Sequence, residues 1–306
     1  MNESMPLISV VMPVFNGEKY LAEAINSILS QTFTDFEFII VNDGSTDNSE
    51  NVILSYSDKR IKYLKQDNSG VGVALRFGCS FVRGKYIARM DADDISFPTR
   101  FATQIKYLES HPDVVLVSTA VYYIDEAGVQ IGRSFPFTNP KVIMDVLKFS
   151  GSPICHPAVL MRAESYKKTE GYCDLQPLED YYLWLQLSRI GLLINMPTPY
   201  LYYRVLNTSV SRNISPDQYH FLRSFLQDRV AMGLAADCFV DEFKAIYCGY
   251  EKKKYMLDQK KLIGIESVIS TFLKTICLSE SLIEKFICFV KNYMMFFNLL
   301  CLKKMP

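Results

Sequence analysis

Three carboxylates crowd into four residues at Asp91-Ala92-Asp93-Asp94, directly after the apolar run Tyr86-Ile87-Ala88 and just ahead of Pro98 and a new helical pattern. At the C-terminal end of a buried strand, where open α/β sheets bind ligands, carboxylates two apart in extended chain point the same way. Asp91 and Asp93 then share a face while Asp94 turns aside. Left alone they repel and one pKa rises; a hard divalent cation, Mg²⁺ or Mn²⁺, removes that repulsion and can also hold phosphate oxygens. The competing reading is an acidic turn in which Asp94 caps the next helix. Glu179-Asp180 is a second acidic pair, just before the aromatic run Tyr181-Tyr182-Leu183-Trp184-Leu185. One carboxylate to manage a cation-bound leaving group and another to take a proton is the division of labour for group transfer to a hydroxyl. As first-turn helix residues the pair would equally complement a helix dipole.

Further polar and aromatic residues fall at predicted strand ends. Pro13 restricts the turn in Pro13-Val14-Phe15-Asn16, so Phe15 is either presented to a planar base or tucked into the core. In Asp43-Gly44-Ser45, Gly44 lets the backbone approach a ligand, and Asp43 either accepts hydrogen bonds from an imide or ribose hydroxyl or caps a helix. Arg76 would sit over the same rim, against the alternative of solvated surface. Gly70-Val71-Gly72-Val73-Ala74-Leu75 lacks the third glycine of a dinucleotide fingerprint.

The elements that must position these residues read as repeated βα units. Ile8 to Met12 is a buried strand, followed by a helix from Asn16-Gly17 with apolar face Leu21, Ala24, Ile25, Ile28 and Leu29. Phe36 to Val41 and Ile61 to Leu64 are the next strands; Ser45-Thr46-Asp47 caps the helix carrying Val52, Ile53 and Tyr56, and a helix spans about Val71 to Val82. The pattern predicts a doubly wound, mostly parallel sheet. Beyond Pro98 come a helix (Phe101, Ile105, Leu108), a strand Val114 to Val117, and a segment Val121 to Ile131 with a hairpin turn at Glu126-Ala127-Gly128. Prolines 153, 157, 177, 197 and 199 mark short elements, and from about Asn213 the pattern is helical.

Composition narrows the function. Thirty-three basic and thirty-three acidic residues cancel, which argues against a protein that coats nucleic acid. Eight scattered cysteines without a CxxC pair, and three histidines, indicate neither a zinc site nor a disulfide framework. A reducing cytoplasm is the expected location, and no secretory signal is read in Met1 to Pro6.

Taken in order, Val11-Met12-Pro13-Val14-Phe15-Asn16, Val41-Asn42-Asp43-Gly44-Ser45-Thr46-Asp47, Asn68-Ser69-Gly70, Asp91-Ala92-Asp93-Asp94 and Leu178-Glu179-Asp180-Tyr181 with Leu183-Trp184 closely resemble the family 2 glycosyltransferases. The resemblance covers Leu7 to about Asn213 and implies a GT-A fold: a catalytic domain over residues 1–212, with a nucleotide-sugar half of about 1–98 and an acceptor half of about 99–212, then a helical region 213–306. It implies that Pro13, Phe15 and Asp43 line the nucleoside pocket, that Arg76 approaches it, and that Asp91 reaches the ribose or the metal's water shell. Asp93 would ligate Mn²⁺ or Mg²⁺ at the diphosphate, Asp180 would be the base of an inverting displacement, and Glu179 would shape the acceptor site. His156 would stand near the acceptor, or be a buried structural histidine. The histidine that such enzymes carry shortly after Tyr-Arg is replaced by Leu206 behind Tyr203-Arg204-Val205, and Arg204 is expected to compensate. The implied partners are a UDP-sugar, UDP-glucose or UDP-galactose favoured, and a lipid-pyrophosphate-linked sugar of bacterial O-antigen or polysaccharide assembly. The competing functions are a non-catalytic nucleotide-sugar binding protein and a glycoside hydrolase.

Ser281 to Leu302 has apolar residues at helical spacing, broken by Lys291, Asn292 and Asn298 and followed by Lys303-Lys304. It is too polar for a membrane span. It reads as an interfacial helix at the cytoplasmic face of a membrane, or as a helix packed on the catalytic domain.

Overall fold

The computed structural model describes residues 5–206, 216–238, 240, 241, 243 and 244. Strands β1 (Ile8–Val14), β2 (Phe36–Asp43), β3 (Ile61–Gln66) and β4 (Tyr86–Arg89) are parallel neighbours in the order β3-β2-β1-β4. Helices α1 (Leu21–Leu29), α2 (Ser49–Leu54) and α3 (Val71–Cys79) make the crossovers, the expected βα rhythm. The sheet continues through β8 (Leu160–Arg162), antiparallel to β4 and followed by the short helix α6 (Ala163–Tyr166), then β6 (Val114–Ile124), β9 (Leu192–Arg204) and β5 (Ile95–Ser96), with β7 (Gln130–Arg133) hairpinned onto β6. This curled, mostly parallel sheet between helical layers is the GT-A fold.

Alternation along the strands separates two apolar cores. Ile8, Val10 and Met12 of β1 and Tyr86 and Ala88 of β4 face α1 and α4 (Arg100–Ser110), against Ile25, Phe101 and Leu108. Val11, Ile39, Val41 and Ile87 face the other way, toward α3, α5 (Pro140–Phe149) and α7 (Glu179–Leu187), where Leu75, Leu147 and Trp184 are buried. Arg89, two residues on from Ile87, takes this second face and is itself buried.

Several expectations are corrected. Val114 to Val117 and Val121 onward are one strand, β6. The 13-residue β9 was hidden by Pro197 and Pro199, which it tolerates because the β6–β9 register shifts between Thr119 and Ala120, where Ala120 pairs Pro199. Asp94 does not cap a helix: Thr99 precedes α4, and the Asp94 carboxylate accepts the Arg204 backbone N–H at 2.8 Å.

The described residues all fall within one compact unit. Helix α8 (Pro216–Ala231) belongs to it: Leu222, Leu226 and Val230 are buried in the same apolar cluster as α7. The first helix of the region expected from residue 213 therefore shares its apolar core with α7. The basic runs Lys252-Lys253-Lys254, Lys260-Lys261 and Lys303-Lys304 of the sequence, and the amphipathic segment Ser281 to Leu302, lie outside the described residues. Among the described residues no helix is long and apolar enough to cross a membrane.

Candidate active site

The C-terminal ends of β1, β2 and β3 carry loops that lace to one another. Asn16, at φ 51°, donates its backbone N–H to Ser45 Oγ at 3.0 Å and accepts the Thr46 N–H at 2.8 Å. Glu18 accepts the Asn48 N–H at 2.8 Å while its own N–H donates to Asp47 at 3.0 Å. Asp47, rather than Ser45 or Thr46, also accepts the Ser49 N–H at the start of α2. These reciprocal bonds hold Pro13 buried in register with Val41 and leave the Phe15 side chain 50% exposed at the rim, so Phe15 is not a core residue.

Asp43 ends β2 almost fully buried and accepts from Gln66 Nε2 at 2.7 Å and from the Ser69 and Gly70 backbone N–H groups, both at 2.9 Å. It anchors the loop ahead of α3. Gly44 is at φ +71°, and a Cβ there would stand 2.6 Å from the Asn68 nitrogen, so its backbone packs on this loop. Arg76 is exposed on α3. Its charge is felt at Cys173, the segment leading to α7.

Asp91, Asp93 and Asp94 follow β4 in a turn, and one oxygen from each lies within 4.8 Å of the others. Asp94 therefore joins the pair it was expected to leave. Burial, and then the neighbouring Asp91 charge, push Asp93 up to about 7 and Asp94 well above the ordinary carboxylate range. Asp94 Oδ2 is sealed from solvent without a partner. Asp91 is ion-paired with Arg89.

Arg204 does not do what was expected of it. Its backbone N–H holds Asp94; Nε donates to the Asp93 carbonyl at 2.9 Å, Nη1 to the Asp125 and Glu126 carbonyls at 3.2 and 3.3 Å, and Nη2 to Glu23 at 2.5 Å. The guanidinium also lies over the Tyr20 ring, 4.2 Å from its centroid. With four of its five N–H donors bonded to protein oxygens, it clamps the aspartate turn to α1 and the β6–β7 hairpin.

Glu179 and Asp180 open α7 from the core-facing side. Glu179 is buried with Oε2 unpartnered, and burial followed by the Asp180 charge raises its carboxyl to about 8. Asp180 is half-buried; burial raises it to about 6 against the opposing pull of the Tyr181 N–H at 2.6 Å, of Arg89 and of the Trp184 indole. The indole favours the ionised carboxylate although Nε1 makes no hydrogen bond of good geometry. His156 shares a hydrogen bond with Tyr172 Oη at 2.8 Å and meets Trp184 edge to face at 5.6 Å. Burial and then the Arg89 charge hold it well below 6.5, so the ring is neutral.

Sequence reasoning passed over Arg89. Its signal was a lone cation in a strand otherwise apolar. It is 4% exposed, paired with Asp91, and its charge is felt at Asp93, Asp94, Glu179, Asp180 and His156, which places it on the seam between the two acidic groups. Nη1 is the atom that meets Asp91, whereas the buried Nε has no hydrogen-bond partner.

The sequence profile of Glycosyl transferase family 2 matches residues 9–169. The putative glycosyltransferase EpsE of Bacillus subtilis is 36% identical over 195 residues, covering 61% of this chain and 69% of that protein. An uncharacterized glycosyltransferase of Haemophilus influenzae is 32% identical over 241 residues, 74% of each chain. Among solved structures, S. aureus TarS in complex with UDP-GlcNAc superposes with a TM-score of 0.58 at 21% identity, over 70% of this chain and 63% of that one, just under two thirds of its length. The mannosyltransferase PcManGT of Pyrobaculum calidifontis, in complex with GDP-Man and Mn²⁺, gives 0.55 at 14% identity, over 90% and 81%. At these identities the two solved structures share the fold.

Proposed function

The chain belongs to the family 2 glycosyltransferases, and on that premise we propose that it moves a hexose from a UDP-sugar to a hydroxyl of a lipid-pyrophosphate-linked sugar, with inversion, in bacterial surface-polysaccharide assembly. The observation that carries this reading is the seam at Arg89, which has the aspartate turn on one side and Glu179-Asp180 on the other. Leaving-group and proton-transfer duties are thereby kept apart. That fold relatives bind UDP-GlcNAc and GDP-Man supports a nucleotide-sugar donor.

The aspartates fit a hard divalent cation: three convergent carboxylate oxygens, a sealed unpartnered Asp94 Oδ2, and mutual repulsion that a positive charge would relieve. Asp93 would hold Mn²⁺ or Mg²⁺, with Asp91 toward the ribose or the metal's water shell. When bound, the ion supplies positive charge opposite the departing diphosphate.

The remaining work falls to the chain. Exposed Phe15 offers an aromatic face to the base, beside buried Pro13 and the loop that Asp43 anchors. Arg76 approaches this pocket from α3. Asp180 accepts the proton of the acceptor hydroxyl as that oxygen bonds to the anomeric carbon; the anomeric C–O bond breaks and its electron pair leaves on the diphosphate. A carboxylate near 6 is ionised at neutral pH yet basic enough to receive that proton. Glu179 and neutral His156 shape the acceptor wall.

The test is a panel of UDP-sugars with Mn²⁺ and a synthetic lipid-pyrophosphate-GlcNAc, read by UDP release and by the mass of the acceptor. One added hexose with UDP-glucose or UDP-galactose is expected. UDP release with free sugar and an unchanged acceptor would overturn the acceptor assignment.

A further inference from the structure

Helix α8 carries a buried cation for which the transfer step has no use. Arg223 is 7% exposed, and its Nε and Nη1 lack any hydrogen-bond partner. No carboxylate among the described residues is ion-paired with it. A buried charged group that leaves its hydrogen bonds unmade is costly, so an anionic partner is the expected complement.

The surroundings say where that partner would lie. Tyr219, one turn earlier on the same face of α8, accepts the Ser152 backbone N–H at 3.2 Å. It packs so tightly on Gly151, at φ +140°, that a Cβ there would meet its hydroxyl at 2.9 Å. Gln227, one turn later, donates to Tyr181 Oη at 2.7 Å, and Tyr181 donates to the Leu147 carbonyl at 2.7 Å. Both tyrosines therefore have partners, and both feel the Arg223 charge. Tyr219, held up at about 12 by burial, also feels the Asp180 carboxylate. Arg223 thus stands beside the acceptor wall, behind the catalytic base.

We infer that Arg223, beside Tyr219, is an anion subsite on the acceptor side of Asp180, and that it receives a phosphate of the acceptor's diphosphate. The guanidinium fork matches two phosphate oxygens at once. A phosphate on the anomeric oxygen of the acceptor sugar lies across one ring from the hydroxyl that Asp180 deprotonates. Helix α8 lies beyond residues 9–169, the stretch matched by the family profile. Identifying the anion with the acceptor rests on the reading proposed above; the subsite itself does not.

Inorganic pyrophosphate is titrated calorimetrically into the metal-free full chain, comparing wild type, Arg223→Gln and Arg223→Lys. Binding about tenfold weaker in Arg223→Gln, and intermediate in Arg223→Lys, is expected. Equal binding in all three, or none in wild type, would overturn the subsite. Melting temperature and the intermediate behaviour of Arg223→Lys separate a lost contact from a lost fold. A second arm compares kcat/KM for GlcNAc-diphosphate-phenoxyundecyl with that for its neutral β-glycoside; Arg223→Gln should shrink this preference about tenfold. If Mn²⁺-dependent UDP binding weakens as much as pyrophosphate binding does, the anion belongs to the donor and the acceptor assignment falls. If pyrophosphate binding depends on Arg223 but neither acceptor is glycosylated, the subsite stands and the proposed acceptor fails.

Discussion

The loops over β1 to β3 and the groups along the Arg89 seam solve opposite problems. In the first region Asn16, Glu18, Asp43 and Asp47 all bond to backbone N–H groups of neighbouring loops, so the loops hold one another, with the Tyr20 hydroxyl as a buried polar atom left over. In the second, Arg89, Asp94, Glu179 and, on α8, Arg223 keep buried polar atoms without partners. A satisfied network fixes shape; an unsatisfied one stores unmade interactions that a ligand can complete. On the proposed reading the donor side is a template, whereas the catalytic and acceptor side is a set of charges that substrate completes.

The sharpest division comes from exchanging one carboxylate on each flank of the seam. Asp180→Asn should lower transfer by about 10²- to 10⁴-fold while keeping Mn²⁺-dependent UDP binding, because only the proton acceptor is lost. Asp93→Asn should lose transfer, metal stimulation and metal-dependent UDP binding together. Rates and UDP calorimetry read both; full transfer in Asp180→Asn would move the base elsewhere.

Arg204 belongs to the finished region although it was expected in the unfinished one. Removing its side chain strands the Asp93, Asp125 and Glu126 carbonyls and the Glu23 carboxylate, so Arg204→Ala should cost about 3 kcal/mol in denaturant unfolding. Activity at saturating Mn²⁺ should fall less than stability suggests. Collapse of donor affinity at unchanged stability would restore Arg204 as a ligand to the diphosphate.

This reassignment marks the limit of what was legible in the sequence. Strands β1, β2 and β4 were readable because each is a short apolar run soon followed by Gly, Asn or Asp, and Asp43 and the Asp91-Asp93-Asp94 cluster fall at the ends of β2 and β4. Strand β9 was not, since two prolines contradict strand propensity and only its pairing with β6 accommodates them. The surroundings of Asp94 and Arg204 were not legible for one reason: the partners lie between 78 and 181 residues away in the chain. Arg89 was legible in principle as the only charge in its strand. Nothing local distinguishes Arg223 from an ordinary surface arginine.

Arg89 gives a subtler test of the seam, because its charge acts on both flanks. In Arg89→Gln the positive charge that favours ionised Asp180 is gone, so the base should hold its proton to higher pH. Since the base works only when deprotonated, the acid limb of kcat/KM, expected near pH 6 in wild type, should move upward and cost about tenfold at pH 6.5. Arg89→Lys should leave the limb close to its original place. An unmoved limb in Arg89→Gln would mean that the two flanks are independent.

The smallest effect is on stability and isolates one unfinished group. Glu179 titrates near 8 in the folded protein, raised by burial, against its ordinary value of 4.5. A carboxyl raised by folding favours the native state fully below its unfolded pKa, and that contribution is lost as pH rises through the folded value. Between pH 5 and 9 wild type should therefore lose stability that Glu179→Gln, neutral throughout, retains. Their melting temperatures should be close at pH 5 and separate by a few degrees in favour of the variant at pH 9. Parallel curves across that range would mean that Glu179 finds a partner for its charge in solution, and that the acceptor wall is as complete as the donor rim.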